Sequence, residues 1–208
     1  MKKKLLGRFE ITALLALLLV LAAAFAGSLT CFARECAGIR DNTLRLHIIA
    51  NSDTDEDQRL KLLVRDAILE KYSAMLRGGS KEEAEHSVEA LLDDIERTAN
   101  ETLRENGGGC ARAELVRMYF SAREYDGLTL PAGMYDALRI RIGSAEGKNW
   151  WCVMFPPLCL PAATKDADFS EELVKRFGEE GLELLRSAKK PRYKVRLAIV
   201  ELFSGAGR

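Results

Sequence analysis

Between Leu44 and Leu69 the spacing of apolar side chains changes from one period to another, and this change frames the rest of the chain. Leu44, Leu46, Ile48 and Ala50 share one face, with Arg45, His47 and Ile49 on the other. That period of two, rich in branched side chains, predicts a half-buried strand whose wetter face carries Arg45 and His47. Asn51 and Ser52 then supply turn chemistry, because short polar side chains satisfy backbone groups where a ladder stops. From Leu60 onward, Leu60, Leu63, Val64, Ala67 and Ile68 follow one stripe of a helix, with Leu63 and Val64 at its centre. Thr54 suits the N-cap and Asp57 the N3 position, while Asp53, Asp55 and Glu56 crowd the positive end of the helix dipole.

The same reading extends to the C-terminus. Gly78-Gly79 ends the first helix, and Ser80 with Glu83 forms a capping box for a second. Its stripe runs through Ala84, Val88, Leu91, Leu92, Ile95, Ala99 and Leu103 to the Gly107-Gly108-Gly109 stop, leaving His86 on the solvated side. Leu115 to Phe120 returns to period two, and Asp126-Gly127 marks a turn. Leu138, Ile140 and Ile142 oppose Arg139 and Arg141, which predicts a strand with one wet face. Gly143 to Gly147 suits a hairpin loop, with Trp150 to Phe155 as the returning strand and Pro156-Pro157 as its end. A helix capped at Ser170 carries Leu173, Phe177, Leu184 and Leu185, and Tyr193 to Phe203 alternates as a final strand. This order predicts an α+β domain: a mostly antiparallel sheet with about three helices packed on one face.

The first thirty residues have a different character. Lys2, Lys3, Lys4 and Arg8 precede an apolar run from Ile11 to Ala26, and Ala24-Phe25-Ala26 fits a small-x-small cleavage site. Extended to Thr30, the same run is long enough for an uncleaved anchor. Either way the positive flank stays inside and the remainder is exported. The expected organisation is a signal peptide or anchor over 1–30, a tether over 31–43, and one domain over 44–208.

The 31 basic and 31 acidic residues balance over the whole chain. Setting aside the N-terminal cations and Glu10 leaves the exported part slightly acidic, without the basic stripe that nucleic acid requires. Among five cysteines, Cys152 and Cys159 flank Pro156-Pro157 and are the best candidates for a disulfide. Two buried thiols are the alternative. The two histidines and the cysteine spacing offer no zinc motif. Asp53, Asp55 and Asp57 open like a calcium loop, but Gln58 replaces the required glycine and Val64 the closing glutamate. His47, Ser52 and Asp53 superficially suggest a hydrolytic triad, without an obvious oxyanion hole. Trp150 and Trp151 must face opposite ways, one toward the core and one toward the rim. Asn51, Asp53 and Asp57 exceed what capping alone needs, so with Arg45 and His47 they form a candidate partner-binding corner. Trp150-Trp151 is the second candidate. The residues thus point to a binding or signalling module that is not an enzyme and needs no cofactor. An exported hydrolase and a cell-envelope binding module are the rivals.

Three blocks carry a resemblance: Leu46 to Ala67, LPAGMYDALRIRIG from Leu130 to Gly143, and KNWWCVMFPPLCL from Lys148 to Leu160. Together they resemble the stage II sporulation protein R family, secreted signalling proteins of endospore-forming bacteria. The resemblance implies export from the forespore into the space between the forespore and mother-cell membranes. It also implies a partner there, a membrane-embedded aspartic-type protease that cleaves the precursor of sporulation sigma factor E. The family motif falls on Arg45, His47, Asn51, Asp53, Asp57, Arg65 and Asp66.

Overall fold

A computed structural model describes residues 7–72, 79–125, 127–156 and 167–187. Two units emerge, the N-terminal helix up to Ala37 and a domain that begins at Gly38. The helix, α1 (Arg8–Asp41), is long and apolar enough to cross a membrane, with a mean hydropathy of 2.4 in its most apolar window. Its residues extend as far as Asp41, into the stretch expected to be a tether. No proline interrupts it, and its last carbonyls are capped by Asn42 Nδ2 on Gly38 and Thr43 Oγ1 on Ile39, at 2.9 and 2.5 Å.

In the domain, β1 (Leu44–Ile49) leads to α2 (Asp55–Tyr72), α3 (Lys81–Ala90) and α4 (Leu92–Glu105). Strands β2 (Ala111–Phe120), β3 (Arg123–Tyr125), β4 (Leu128–Leu130), β5 (Gly133–Ile142) and β6 (Asn149–Phe155) follow, and then α5 (Ala167–Ser187). The α+β class is therefore as expected, and among the described residues the domain has four helices, α2 to α5, close to the three expected beside the N-terminal segment. The main sheet has the order β2-β5-β1-β6, and β3 pairs with β4 as a separate hairpin. β5 and β6 do not form the expected hairpin. β1 lies between them, parallel to β5 and antiparallel to β6.

Both faces of this sheet are covered, where one wet face was expected. On one side Leu44, Leu46 and Ile48 of β1 join Ile140 and Leu138 of β5 under α2, α3 and α4. On the other, Phe120, Tyr135, Ala137 and Val153 pack with Ile39, Leu130 and the α5 residues Leu173, Leu182 and Leu185. β1 is thus buried on both faces, and Arg45 and His47, expected on a wet face, are buried with it.

Local chemistry explains the boundaries. Thr54 Oγ1 accepts from Asp57 N–H at 3.3 Å, and Gln58 N–H bonds the Thr54 carbonyl, so Thr54 is the N-cap of α2. The buried stripe of α2 is Leu60, Lys61, Val64, Ile68 and Tyr72; Leu63 is only half-buried, because the stripe is turned from the expected phase. The Ser80–Glu83 capping box is present. The single expected second helix is bent into α3 and α4 at Leu91 (φ −102°, ψ 6°), which lets α3 reach β1 while α4 lies along β2. Gly107, at φ +77°, ends α4 in a Schellman motif, with Gly108 N–H on the Leu103 carbonyl at 2.7 Å. Ser170, expected as a cap, lies inside α5. Gly178, at φ +72°, kinks α5 and shifts its phase, so that Leu182 is buried and Leu184 only half so. The expected strand from Tyr193 to Phe203 lies outside the described residues, as do Gly78, Asp126 and Pro157.

Ile68, fully buried in α2, separates this packing from the expected phase. Ile68→Ala is expected to cost about 2–5 kcal/mol in denaturant unfolding, and Leu63→Ala less than half of that. Equal losses would refute the observed phase.

Candidate functional site

The end of β1 is held by a clasp built from the residues of the proposed corner. The loop joining β5 to β6 crosses over that end, carrying its backbone into the β1 ladder. Gly147 N–H donates to the Ala50 carbonyl at 3.0 Å and Glu146 N–H to the Asn51 carbonyl at 3.1 Å. Asn51 Oδ1 accepts from Ser144 N–H at 3.0 Å, and its Nδ2 donates to Asp57 Oδ2 at 2.9 Å. Ser52 Oγ donates to the same carboxylate oxygen at 2.5 Å, and Asp53 Oδ1 accepts from Lys148 N–H at 2.7 Å. Lys61, buried on the α2 stripe, donates to the Lys148 carbonyl at 2.9 Å, and burial lowers its pKa. The hydrogen bonds from Ser52 and then Asn51 hold the Asp57 carboxyl below the usual carboxylate range.

Glycines allow the close approach. A Cβ on Gly147 would collide with the Ser52 carbonyl, and one on Gly143, at φ +55°, with the Asn51 side chain. Of the corner's acids, Asp53 and Asp57 are engaged in the clasp, and Glu56 pairs with Arg59 at 2.7 Å. The corner therefore has an internal use for most of the polar groups that seemed surplus to capping.

Arg45 and His47 sit on the opposite side of β1 from the α2 layer. The Arg45 guanidinium lies over the rings of Phe120, Tyr135 and Tyr125, at 4.3, 5.0 and 5.4 Å to their centroids. Its Nε donates to the Cys152 carbonyl at 3.0 Å and its Nη2 to Tyr125 Oη at 2.6 Å. Nη1 has no partner, and no carboxylate among the described residues pairs with this cation. Burial lowers its pKa, and aromatic faces supply the compensation that water would otherwise give. His47 stacks on Trp151, with ring centroids 3.9 Å apart and planes within 2°, and meets Phe120 edge-on. Its Nε2 donates to Asn149 Oδ1 at 2.7 Å, which leaves Nδ1 as a buried acceptor without a donor.

The two tryptophans do face opposite ways, and both are half-buried. Trp151 packs against His47 and Phe120, and the Arg123 guanidinium lies 5.8 Å from its ring. Trp150 packs under α2, where Arg65 covers its ring at 4.4 Å and also pairs with Asp66 at 2.6 Å. Arg139 bonds Glu114 at 2.8 Å. Cys152 is bonded in a disulfide, while Cys159 lies outside the described residues. The suggested triad is not brought together, since His47 holds Asn149 while the Ser52 hydroxyl holds Asp57. Among the described residues, no cluster of His, Cys, Asp or Glu could hold a metal ion. Phe120, Tyr125 and Tyr135 were not singled out by the sequence, because their partners are remote in the chain. Lys61 left a signal, a cation on the edge of an apolar stripe.

Two measurements probe the site. Gly147→Ala is expected to cost about 1–3 kcal/mol of stability through overpacking against Ser52, whereas Gly109→Ala, with open space around it, is expected to be neutral. If the two melt alike, the clasp is not tight. Burial pushes the His47 pKa below its ordinary 6.5, so the folded ring stays neutral where the unfolded one gains a proton. Its contribution is complete above pH 6.5 and is lost as pH falls below that value. His47→Phe should keep the stack and flatten the stability slope below pH 6.5; an unchanged slope would assign it to other groups.

Comparison with known proteins covers the same region. The family described as stage II sporulation protein R (spore_II_R) matches residues 40–165, more than half of the chain and all of the sheet. The stage II sporulation protein R of Bacillus subtilis (strain 168) is 38% identical over 123 residues, 58% of this chain and 55% of that protein. The chain thus spans about half the length of this curated relative. No solved structure matches. With the clasp, the Arg45 cluster and the tryptophan strand all inside the matched region, the chain belongs to the stage II sporulation protein R family.

Proposed function

We propose that this protein is an exported sporulation signal that switches on a membrane-embedded protease in the mother cell. The observation that carries the reading is the family match, because it covers the folded domain immediately after the apolar helix. That helix supports delivery across the forespore membrane, either cleaved after export or retained as an anchor. In the space between the two membranes the domain acts as a ligand. It favours the protease's active state by binding it more tightly than the inactive one, since equal affinity for both shifts nothing. The activated protease, of the aspartic type, then cleaves the precursor of sporulation sigma factor E. Arg45 and His47 serve this role from inside, by holding the sheet that displays the binding surface.

The test is rescue by compartment. In a null strain, expression confined to the forespore is expected to restore sigma-factor precursor cleavage, and a version lacking residues 2–30 is expected to fail. Rescue by the truncated, non-exported form would overturn the exported-signal reading.

A further inference from the structure

Among the described residues β2 is an edge strand of the main sheet. In its register with β5, the even-numbered residues from Arg112 to Phe120 turn their backbone groups inward, and the Gly143 N–H to Cys110 carbonyl bond continues that alternation. The odd-numbered residues therefore face out. At Ala111, the Asn100 side chain accepts from N–H at 2.8 Å and donates to the carbonyl at 3.0 Å. At Ala113, Glu96 Oε2 accepts from N–H at 2.9 Å. α4 thus substitutes for a neighbouring strand over the first half of the edge. Beyond it, the outward backbone groups of Leu115, Arg117 and Tyr119 have no hydrogen-bond partner among the described residues.

A second observation falls on the same edge. Outside α1, the strongly exposed large apolar side chains of the described residues are Tyr119, at 61%, and Met134, at 44%. They are cross-strand partners in the β2–β5 register. Folded proteins ordinarily blunt such an edge with a proline, a bulge or a row of charges. Here the register has no shift, the stretch Leu115 to Tyr119 has no proline, and Arg117 is its one charge.

We propose that Leu115 to Tyr119 of β2 accept an extended strand from a partner polypeptide, with a carboxylate opposite Arg117 and apolar residues around it. The outward backbone row supplies the ladder, and Leu115, Val116, Met118 and Tyr119 supply apolar neighbours on both faces. The Arg117 side chain is 58% exposed, and its guanidinium uses one of five donors on Asp136, at 3.3 Å. A second copy of this chain fits poorly, because two-fold pairing about the centre of the row sets Arg117 against Arg117. Like charges directly opposite are destabilising. The inference deepens the proposed signalling role by giving it a docking mode, yet its binding test does not depend on that role.

The probes are two synthetic nine-residue peptides that alternate Val and Thr, one with Glu at its centre and the other with Lys. They are added to the full chain in lipid nanodiscs, and amide exchange is followed residue by residue. The Glu peptide is expected to slow exchange at Leu115, Arg117 and Tyr119, and to bind about fivefold more tightly than the Lys peptide, the scale of a cross-strand charge pair. Arg117→Pro removes an outward N–H without breaking the β5 ladder, and Tyr119→Lys changes only an exposed side chain. Both are expected to abolish the protection. Absent protection, equal binding of the two peptides, or protection that survives Tyr119→Lys would each overturn the proposal. So would amides already slow in the free chain, if dilution releases them (a second copy) or deletion of 188–208 does (its own C-terminal segment).

Discussion

Asn51 closes the ladder of β1 by bonding across to the loop that joins its two neighbours, and the order of the sheet depends on that closure. β5 and β6 follow each other in sequence and would pair directly if nothing lay between them. Instead their connection must span the width of β1, and the span is held by backbone bonds to Ala50 and Asn51, by Ser144 on Asn51, and by the Asp53 carboxylate on Lys148 N–H. Hydrogen bonds of this kind contribute about 1 kcal/mol each on balance, but leaving a buried one unmade costs more. Of these bonds, the one from Gly147 N–H to the Ala50 carbonyl joins two buried residues, so leaving it unmade counts against the hairpin alternative. Lys61 ties α2 to the same loop, so helix, strand and crossover form one cooperative unit.

Burial on both faces of β1 follows from its central place, and this changes what Arg45 and His47 can do. A guanidinium without a carboxylate is costly to bury, and here three aromatic rings and two hydrogen bonds offset the loss of water. Arg45 reaches Cys152 and Tyr125, while His47 reaches Asn149 and Trp151, so together they tie β1 to β6 and to the β3–β4 hairpin. A substitution at either position would act through the shape of the domain as a whole.

Much of this was legible in local patterns. The strand-to-helix change at Asn51, the Thr54 cap and the Ser80 box depend on neighbouring residues, and the sequence displays them directly. The insertion of β1 between β5 and β6 was not legible, because adjacency along the chain favours the hairpin and nothing local distinguishes the two. The facing of Arg45 was not legible for a related reason. Alternation shows which residues share a side, but whether that side is wet depends on α5 and the hairpin, far away in sequence. The phase of α2 was shifted by Lys61, a charged residue that periodicity counts as exposed and that the clasp buries.

With helices on one face, and α5 with the hairpin on the other, a partner cannot reach the sheet through its faces. Recognition is left to strand edges, loop ends and the outer sides of helices. At the loop end beyond β1, the polar groups of Asn51, Ser52 and Asp57 already satisfy one another, and a partner would have to break those bonds to use them. The edge of β2 is in the reverse condition. Glu96 and Asn100 show that an unpaired outward backbone there is worth satisfying, and they reach only as far as Ala113. From Leu115 onward the same groups have no hydrogen-bond partner among the described residues, so a strand could use them without an internal bond being given up. A strand added along that edge would draw its ladder from groups that the fold has left unmatched among the described residues.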